Sequence, residues 1–271
     1  MILTFFFSGS YRAVKKPLLK QAHINERKRF CEEWLKRPDD CKRIVIVDEK
    51  LFNGQPTNNY QPVLRKKGER FQPEHIHCSR RPNEKANCSI LAYIGPFGKG
   101  EIFLAENKEW YNIDGSLKEG KFGRAPGFDG PSYEHLVEHY LIPNIKAKLN
   151  DEKWLFMQDN APIHCVKRGD QTKTNIQKIF ADEGVEMVKL PPLSPDLTPI
   201  ENCFSLLARE YSKLFDELSE YKYPKNKMDT FRLINKAWSN VDNEKVKKIY
   251  FTFTDRLHKV KAAEGLNNLK L

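Results

Sequence analysis

No stretch of this chain approaches the roughly 18 consecutive apolar residues that a membrane-spanning helix needs, so no span is expected. The opening run Met1 to Phe7 is apolar but short. It lacks a basic flank and leads into Ser8-Gly9-Ser10, which reads as a ragged start and not as a signal peptide. Internal repeats and low-complexity tracts are absent, which excludes solenoids and biased tails. The six cysteines (31, 41, 78, 88, 165 and 203) form no regular framework, so reduced thiols in an intracellular protein are expected instead of a disulfide scaffold. Acidic residues are in deficit, 36 Asp and Glu against 46 Lys and Arg, for a formal net charge of +10. That imbalance points to a polyanionic partner, nucleic acid first.

The chain has enough apolar residues to fold. At 39% hydrophobic with 17 Phe and 10 Tyr, 271 residues suffice for one substantial domain with extensions. Its organising stretch runs from Trp154 to Glu201. Trp154-Leu155-Phe156-Met157 reads as a short buried strand, with Asp159 at its end and Asn160-Ala161-Pro162 as a turn. An acidic side chain at the mouth of a buried strand is costly unless a cation meets it. Val185 to Leu190 is a second strand, ended by the proline-rich Pro191 to Pro195. A helix follows, with Thr198 as N-cap, Pro199 at its first position and Glu201 three residues past the cap. Ile200, Phe204, Leu207, Tyr211, Leu214 and Leu218 form its apolar stripe. Glu201 can be read as a capping-box residue bonded to the Thr198 amide, or as a ligand shared with Asp159.

A third carboxylate comes from Arg43 to Glu49. Ile44-Val45-Ile46-Val47 is a run of four β-branched residues, the mark of a central strand covered on both faces, and Asp48 sits near its end. If this strand runs parallel beside Leu155 to Met157, both aspartates emerge at the sheet edge where α/β folds bind ligands. Two aspartates and a glutamate there are hard oxygen donors suited to Mg²⁺ or Mn²⁺.

QDNAPIH followed by SPDLTPIEN resembles the second and third catalytic motifs of mariner-superfamily transposases. VDEKLFN, with VLRKKGERF after it, resembles their first motif and the strand that follows. The likeness runs over roughly residues 11 to 265. It implies an α/β, ribonuclease H-like fold: a mixed five-stranded sheet, first three strands antiparallel, helices on both faces. It further implies Asp48, Asp159 and Glu201 as a catalytic and metal-binding triad holding Mg²⁺ or Mn²⁺, two ions about 4 Å apart. The implied reaction is strand cleavage and strand transfer at transposon ends, with DNA as substrate and target, in the nucleus, by a possible homodimer. An alternative is a silent, transposase-derived DNA-binding protein. A third, weaker reading is a cellular nuclease of the same fold.

Two features depart from the family pattern. Forty-one residues separate Asp159 from Glu201, more than usual, with the excess assigned to the polar VKRGDQTKTNIQ segment. The two helix-turn-helix modules that normally precede the catalytic domain are missing, which implies a truncated protein or an incomplete gene model. The expected division is a linker and its helix over 1–40, the catalytic domain over 41–225, and a helical extension over 226–271.

Other residues carry secondary expectations. Asn160 is expected to position Asp159 or a metal-bound water, with His164 a weaker candidate. Arg65, Lys66, Lys67, Arg80 and Arg81 as a group are candidate phosphate contacts, with Lys245, Lys247, Lys248 and Arg256 secondary. His75, His77, Cys78 and Cys88 have zinc-ligand chemistry but a spacing that matches no common structural site, so zinc is not expected. His135 to His139 spells the H-x-x-E-H string of inverted zinc peptidases without an evident downstream glutamate. A sheet-covering helix, Ser132 to Asn144, with Tyr133, Leu136, Val137, Tyr140 and Leu141 inward, is expected there. Asp196 could compete with Glu201 as the third carboxylate, although its flanking prolines suggest a turn role. A hairpin over Gly98-Lys99-Gly100, a long irregular loop from Trp110 to Gly130, and single helices over Gly169 to Glu183, Met228 to Val241 and Glu244 to Ala263 complete the expectations.

Overall fold

The computed structural model describes residues 18–55, 72, 86–105, 127–128, 130–150, 152–160, 176–219 and 222–267. Its centre is one five-stranded sheet, ordered β3-β2-β1-β4-β5. The strands are β1 (Ile44–Phe52), β2 (Cys88–Gly95), β3 (Gly98–Leu104), β4 (Leu155–Gln158) and β5 (Glu186–Lys189). β1 pairs antiparallel with β2, and β2 with β3. β4 lies parallel to β1, and β5 parallel to β4. This is the mixed, ribonuclease H-like sheet expected from the sequence.

The β-branched run explains why β1 is central. Its residues alternate between two cores, one on each face of the sheet. Ile44 and Ile46 join the larger core, with Ile90, Ile94, Met157 and Val188. The helices α1 (Gln21–Trp34), α6 (Ile200–Asp216), α7 (Lys227–Asn240), α8 (Asn243–Tyr250) and α9 (Phe253–Ala262) feed the same core. Val45 and Val47 join the smaller one, with Leu91, Tyr93 and Phe156. There the cover is α3 (Gly130–Leu136), a π-helical turn (Val137–Leu141), α4 (Ile142–Leu149) and α5 (Ile176–Asp182). Both the N-terminal α1 and the C-terminal α7 to α9 therefore share one core with the sheet. Among the described residues no helix is long and apolar enough to cross a membrane.

Several local expectations need correction. The β2–β3 connection is Pro96-Phe97, and Gly98 and Gly100 lie inside β3. Gly98, at φ +94°, serves the exit of the turn, and both glycines also answer close approach. A Cβ at Gly100 would sit 2.1 Å from the Tyr93 ring, and one at Gly98 2.2 Å from Asn243 Oδ1. Tyr140, expected on the buried face of its helix, is 52% exposed. The π turn takes up an extra residue and rotates the following stripe, so that Leu141 is buried as expected and Ile142 and Ile145 follow it inward. The helix expected over Glu244 to Ala263 is broken at Phe251-Thr252, where Thr252 Oγ1 donates to the Ile249 carbonyl at 2.6 Å. Four thiols, Cys31, Cys41, Cys88 and Cys203, are free and buried. His75, His77 and Cys78 lie outside the described residues, as do the 110–126 part of the long loop and 169–175 ahead of α5.

Candidate active site

The β1–β4 register aligns Ile44 with Leu155, Val45 with Phe156 and Ile46 with Met157. Carried two residues on, the same offset sets Asp48 level with Asp159. Asp48 shares the parity of Ile44 and Ile46, and Asp159 that of Met157, so both belong to the face that α6 covers. α6 brings Glu201 in its first turn. Asp48, Asp159 and Glu201 line one open cleft of about 360 Å³, walled by Asn160 and by Leu190 to Pro195.

The cleft is electrostatically unbalanced. Burial first, then Glu201, with Asp159 and Glu49 adding, push the Asp48 carboxyl up to about 7, against a single offsetting hydrogen bond from the Glu49 N–H at 2.8 Å. That Glu201 and Asp159 both act on Asp48 shows the three groups in electrostatic reach of one another. One ammonium is near: Lys50 Nζ lies 3.6 Å from Glu201 Oε2, both side chains partly exposed. Among the described residues no three His, Cys, Asp or Glu side chains are drawn together tightly enough to hold an ion as they stand. The donor chemistry fits a hard divalent cation, and the crowding of like charges is what such an ion relieves. Closing on it requires Glu201 to leave Lys50.

The capping-box reading of Glu201 fails. Thr198 turns back on the 3₁₀ turn Pro195–Leu197: its N–H and its Oγ1 both donate to the Pro195 carbonyl, at 3.2 and 2.8 Å. α6 starts at Ile200 behind Pro199, with no side-chain cap. Asp196 is no rival for the cleft. It is buried and accepts both arms of the Arg27 guanidinium, at 2.7 and 2.6 Å. Arg27, in α1, is fully buried and also donates to Ser194 Oγ and the Gly265 carbonyl, both at 2.8 Å. Arg256, a secondary phosphate candidate, is likewise buried and donates to the Asp196 carbonyl and to Asn202 Oδ1. The two arginines brace the loop that forms the cleft wall.

Asn160 Nδ2 donates to the Leu190 carbonyl at 2.6 Å, tying the end of β4 to the end of β5. Behind the cleft, Tyr133 Oη donates to Gln158 Oε1 at 2.5 Å, next to Asp159. His135 and His139 stack edge to face, 4.5 Å between centroids, with His139 beside Glu138 on an exposed helix surface. Arg65, Lys66, Lys67, Arg80, Arg81 and His164 lie outside the described residues.

A family model described as DDE superfamily endonuclease matches residues 94–222, which include β3 to β5, Asp159 and Glu201. Over those residues the chain resembles a DDE endonuclease domain. The domain is similar to the transposable element Tcb1 transposase of Caenorhabditis briggsae, 24% identical over 256 residues, 94% of this chain and 80% of that protein. It is also similar to the Tc3 transposase of Caenorhabditis elegans, 21% identical, covering 92% of this chain and 64% of that one. In fold it matches the Mos1 transposase paired-end complex with left transposon end, at TM-score 0.65, 18% identity, 95% of this chain and 67% of that chain. The Mos1 catalytic domain alone matches at TM-score 0.56 and 16% identity, over 93% and 98% of the two chains. Mos1 structures have been solved with Mn and with Mg.

Proposed function

We propose that this DDE domain cleaves DNA strands at transposon ends and joins them to target DNA, using a divalent cation held by Asp48, Asp159 and Glu201. The single observation that carries the reading is the shared cleft: three carboxylates, from β1, from the end of β4 and from α6, line it together, and burial with the nearby negative charge pushes Asp48 up to about 7. Mg²⁺ or Mn²⁺ bound there would supply Lewis-acid polarisation of a phosphoryl oxygen and a more acidic water or 3′-hydroxyl. The protein's own task is placement. The parallel strands set Asp48 and Asp159 side by side, and the braced Ser194 to Thr198 loop fixes where α6 delivers Glu201. Lys50 balances charge in the cleft while no cation is there. Asn160 keeps the ends of β4 and β5 in step. DNA as the polyanionic substrate accords with the +10 charge of the chain.

The test is nicking of supercoiled plasmid by the full chain in Mg²⁺ or in EDTA. Wild type is expected to nick only with the metal, and Asp159→Asn to lose at least about 100-fold. Equal nicking by the mutant removes the three-carboxylate mechanism. DNA binding without nicking by either protein would favour a catalytically silent DNA-binding protein.

A further inference from the structure

The three cleft carboxylates are not held equally well. Asp48 lies inside β1, paired across the ladder with Ala92, and Glu201 lies in the first turn of α6. Asp159 stands one residue past the end of β4. The last ladder pair of β4 with β1 is Ile46 with Met157, and the last with β5 is Gln158 with Lys189. The ladders stop short of Asp159, and the residues on either side of it carry the next hold on its backbone. Asn160 is tied to the Leu190 carbonyl. Gln158, on the other side, points to the opposite face of the sheet from Asp159, into the smaller core.

There Gln158 Oε1, on a buried side chain, accepts from Tyr133 Oη at 2.5 Å. Tyr133 is fully buried and meets Phe128 edge to face, in one core with Val45, Val47, Phe156 and Phe180. Burial first, then Glu49, Asp159 and Asp48, hold its phenol well above the ordinary tyrosine pKa, so it stays a hydrogen-bond donor across the working pH range. Two polar groups are a poor choice here for stability alone. A Phe and a Leu would fill the same space, and swapping both partners of such a pair for apolar groups is close to neutral. The helix that carries Tyr133 is built to the same end. Tyr133, Val137 and Leu141 are all fully buried, four residues apart each time. Unbroken α-helix would turn the third about 80° from the first, and the wider π turn over Val137–Leu141 takes up that drift. Such turns are rare and recur at functional sites.

We infer that Tyr133 is a positioning residue for the carboxylate cleft: through Gln158 it fixes the end of β4, and with it the direction in which Asp159 presents its carboxylate. This rests on the cation-dependent reading above and adds to it a residue from the far face of the sheet. Groups that orient a metal ligand without touching the ion are typically worth about 10- to 100-fold in affinity.

The test reads Mn²⁺ binding to the full chain with no DNA present, by electron paramagnetic resonance of the free ion. Asp159→Asn should abolish the cleft site seen in wild type. Tyr133→Phe should weaken it about tenfold and lower the melting temperature, because Gln158 is left with an unmet buried carbonyl. The double variant Tyr133→Phe with Gln158→Leu separates aim from packing. It should melt within about 3 °C of wild type. It should still bind Mn²⁺ about tenfold more weakly, and its plasmid nicking should need about tenfold more Mg²⁺ to reach half its maximal rate. Wild-type Mn²⁺ affinity in the double variant would overturn the inference, since the pair would then only fill the core. A double variant that melts as low as the single one would overturn it too, because stability would explain the pair. If Asp159→Asn binds Mn²⁺ like wild type, the cation reading of the cleft falls and this inference falls with it.

Discussion

Asp48 and Asp196 are both drawn into the protein, a short way apart around one cleft, and they are treated in opposite ways. Asp196 receives a two-pronged guanidinium from Arg27, while Arg256 takes its backbone carbonyl. Asp48 receives one backbone N–H and is crowded by Glu201, Asp159 and Glu49. Among the described residues the chain sends a guanidinium group to the loop carboxylate, while no lysine or arginine is among the groups that act on Asp48. A carboxylate whose role ends with folding is neutralised by the fold itself. One left in surplus negative charge marks where a cation from outside belongs.

The sharpest way to break this comparison is to remove the compensation at Asp196. Arg27→Met strands a buried carboxylate together with the Ser194 hydroxyl and the Gly265 carbonyl, and should destabilise the protein by about 3–5 kcal/mol. Urea denaturation with an unchanged slope would measure it. A loss below about 1 kcal/mol would mean that Asp196 finds water or another partner, and the contrast with Asp48 would lose its basis.

The next effect concerns Asp48 and is read in EDTA. Its folded-state pKa, about 7, stands above the ordinary 3.8 of an aspartate, so the folded protein holds this proton more tightly than the unfolded chain does. The resulting stability is fully present below pH ~4 and is lost as pH rises toward ~7, with no further change from this group above that. The open side of the cleft moderates the loss to about 2 kcal/mol. Asp48→Asn should remove that part of the slope, making the variant more stable than wild type at pH 7.5 relative to pH 4.5. Identical slopes for the two proteins would show that Asp48 is not under the strain described.

Much of this was legible in the chain, and the misses have a common cause. Ile44 to Val47 announced the central strand, and the parallel alignment of two strands, each with an aspartate near its end, announced the cleft. Arg256 was misread as a phosphate contact because charge was taken to mean surface, and Arg27 was given no role. Yet Arg27, Phe30, Cys31 and Trp34 follow i, i+3, i+4, i+7 spacing, as do Phe253, Arg256, Leu257 and Val260, and all eight are buried. An arginine in register with an apolar stripe was the available signal. Its partner, 169 residues away in the case of Asp196, was not. Lys50 was also within reach, since it shares strand parity with Asp48. The left-handed backbone of Leu193, at φ +53°, was not, because Pro-Pro-Leu-Ser-Pro reads only as extended chain.

Lys50 is the intermediate case between the two aspartates, and it supports the smallest prediction. Its ammonium lies 3.6 Å from Glu201 Oε2, with the two side chains 43% and 38% exposed. A pair so open to water contributes up to about 1 kcal/mol, enough to delay a divalent ion but not to exclude it. Lys50→Met removes both the partner that Glu201 must leave and a positive charge that repels the ion. Mn²⁺ should therefore bind about three- to fivefold more tightly, measured by electron paramagnetic resonance of the free ion at pH 7.5, with no DNA present. The gain should shrink as salt is raised, since exposed charges are screened within about 10 Å at 0.1 M. Unchanged or weaker Mn²⁺ binding would mean that Lys50 does not compete for the cleft. The three carboxylates would then be open to a cation from the outset, and the distinction between a neutralised and an expectant site would rest on Asp48 alone.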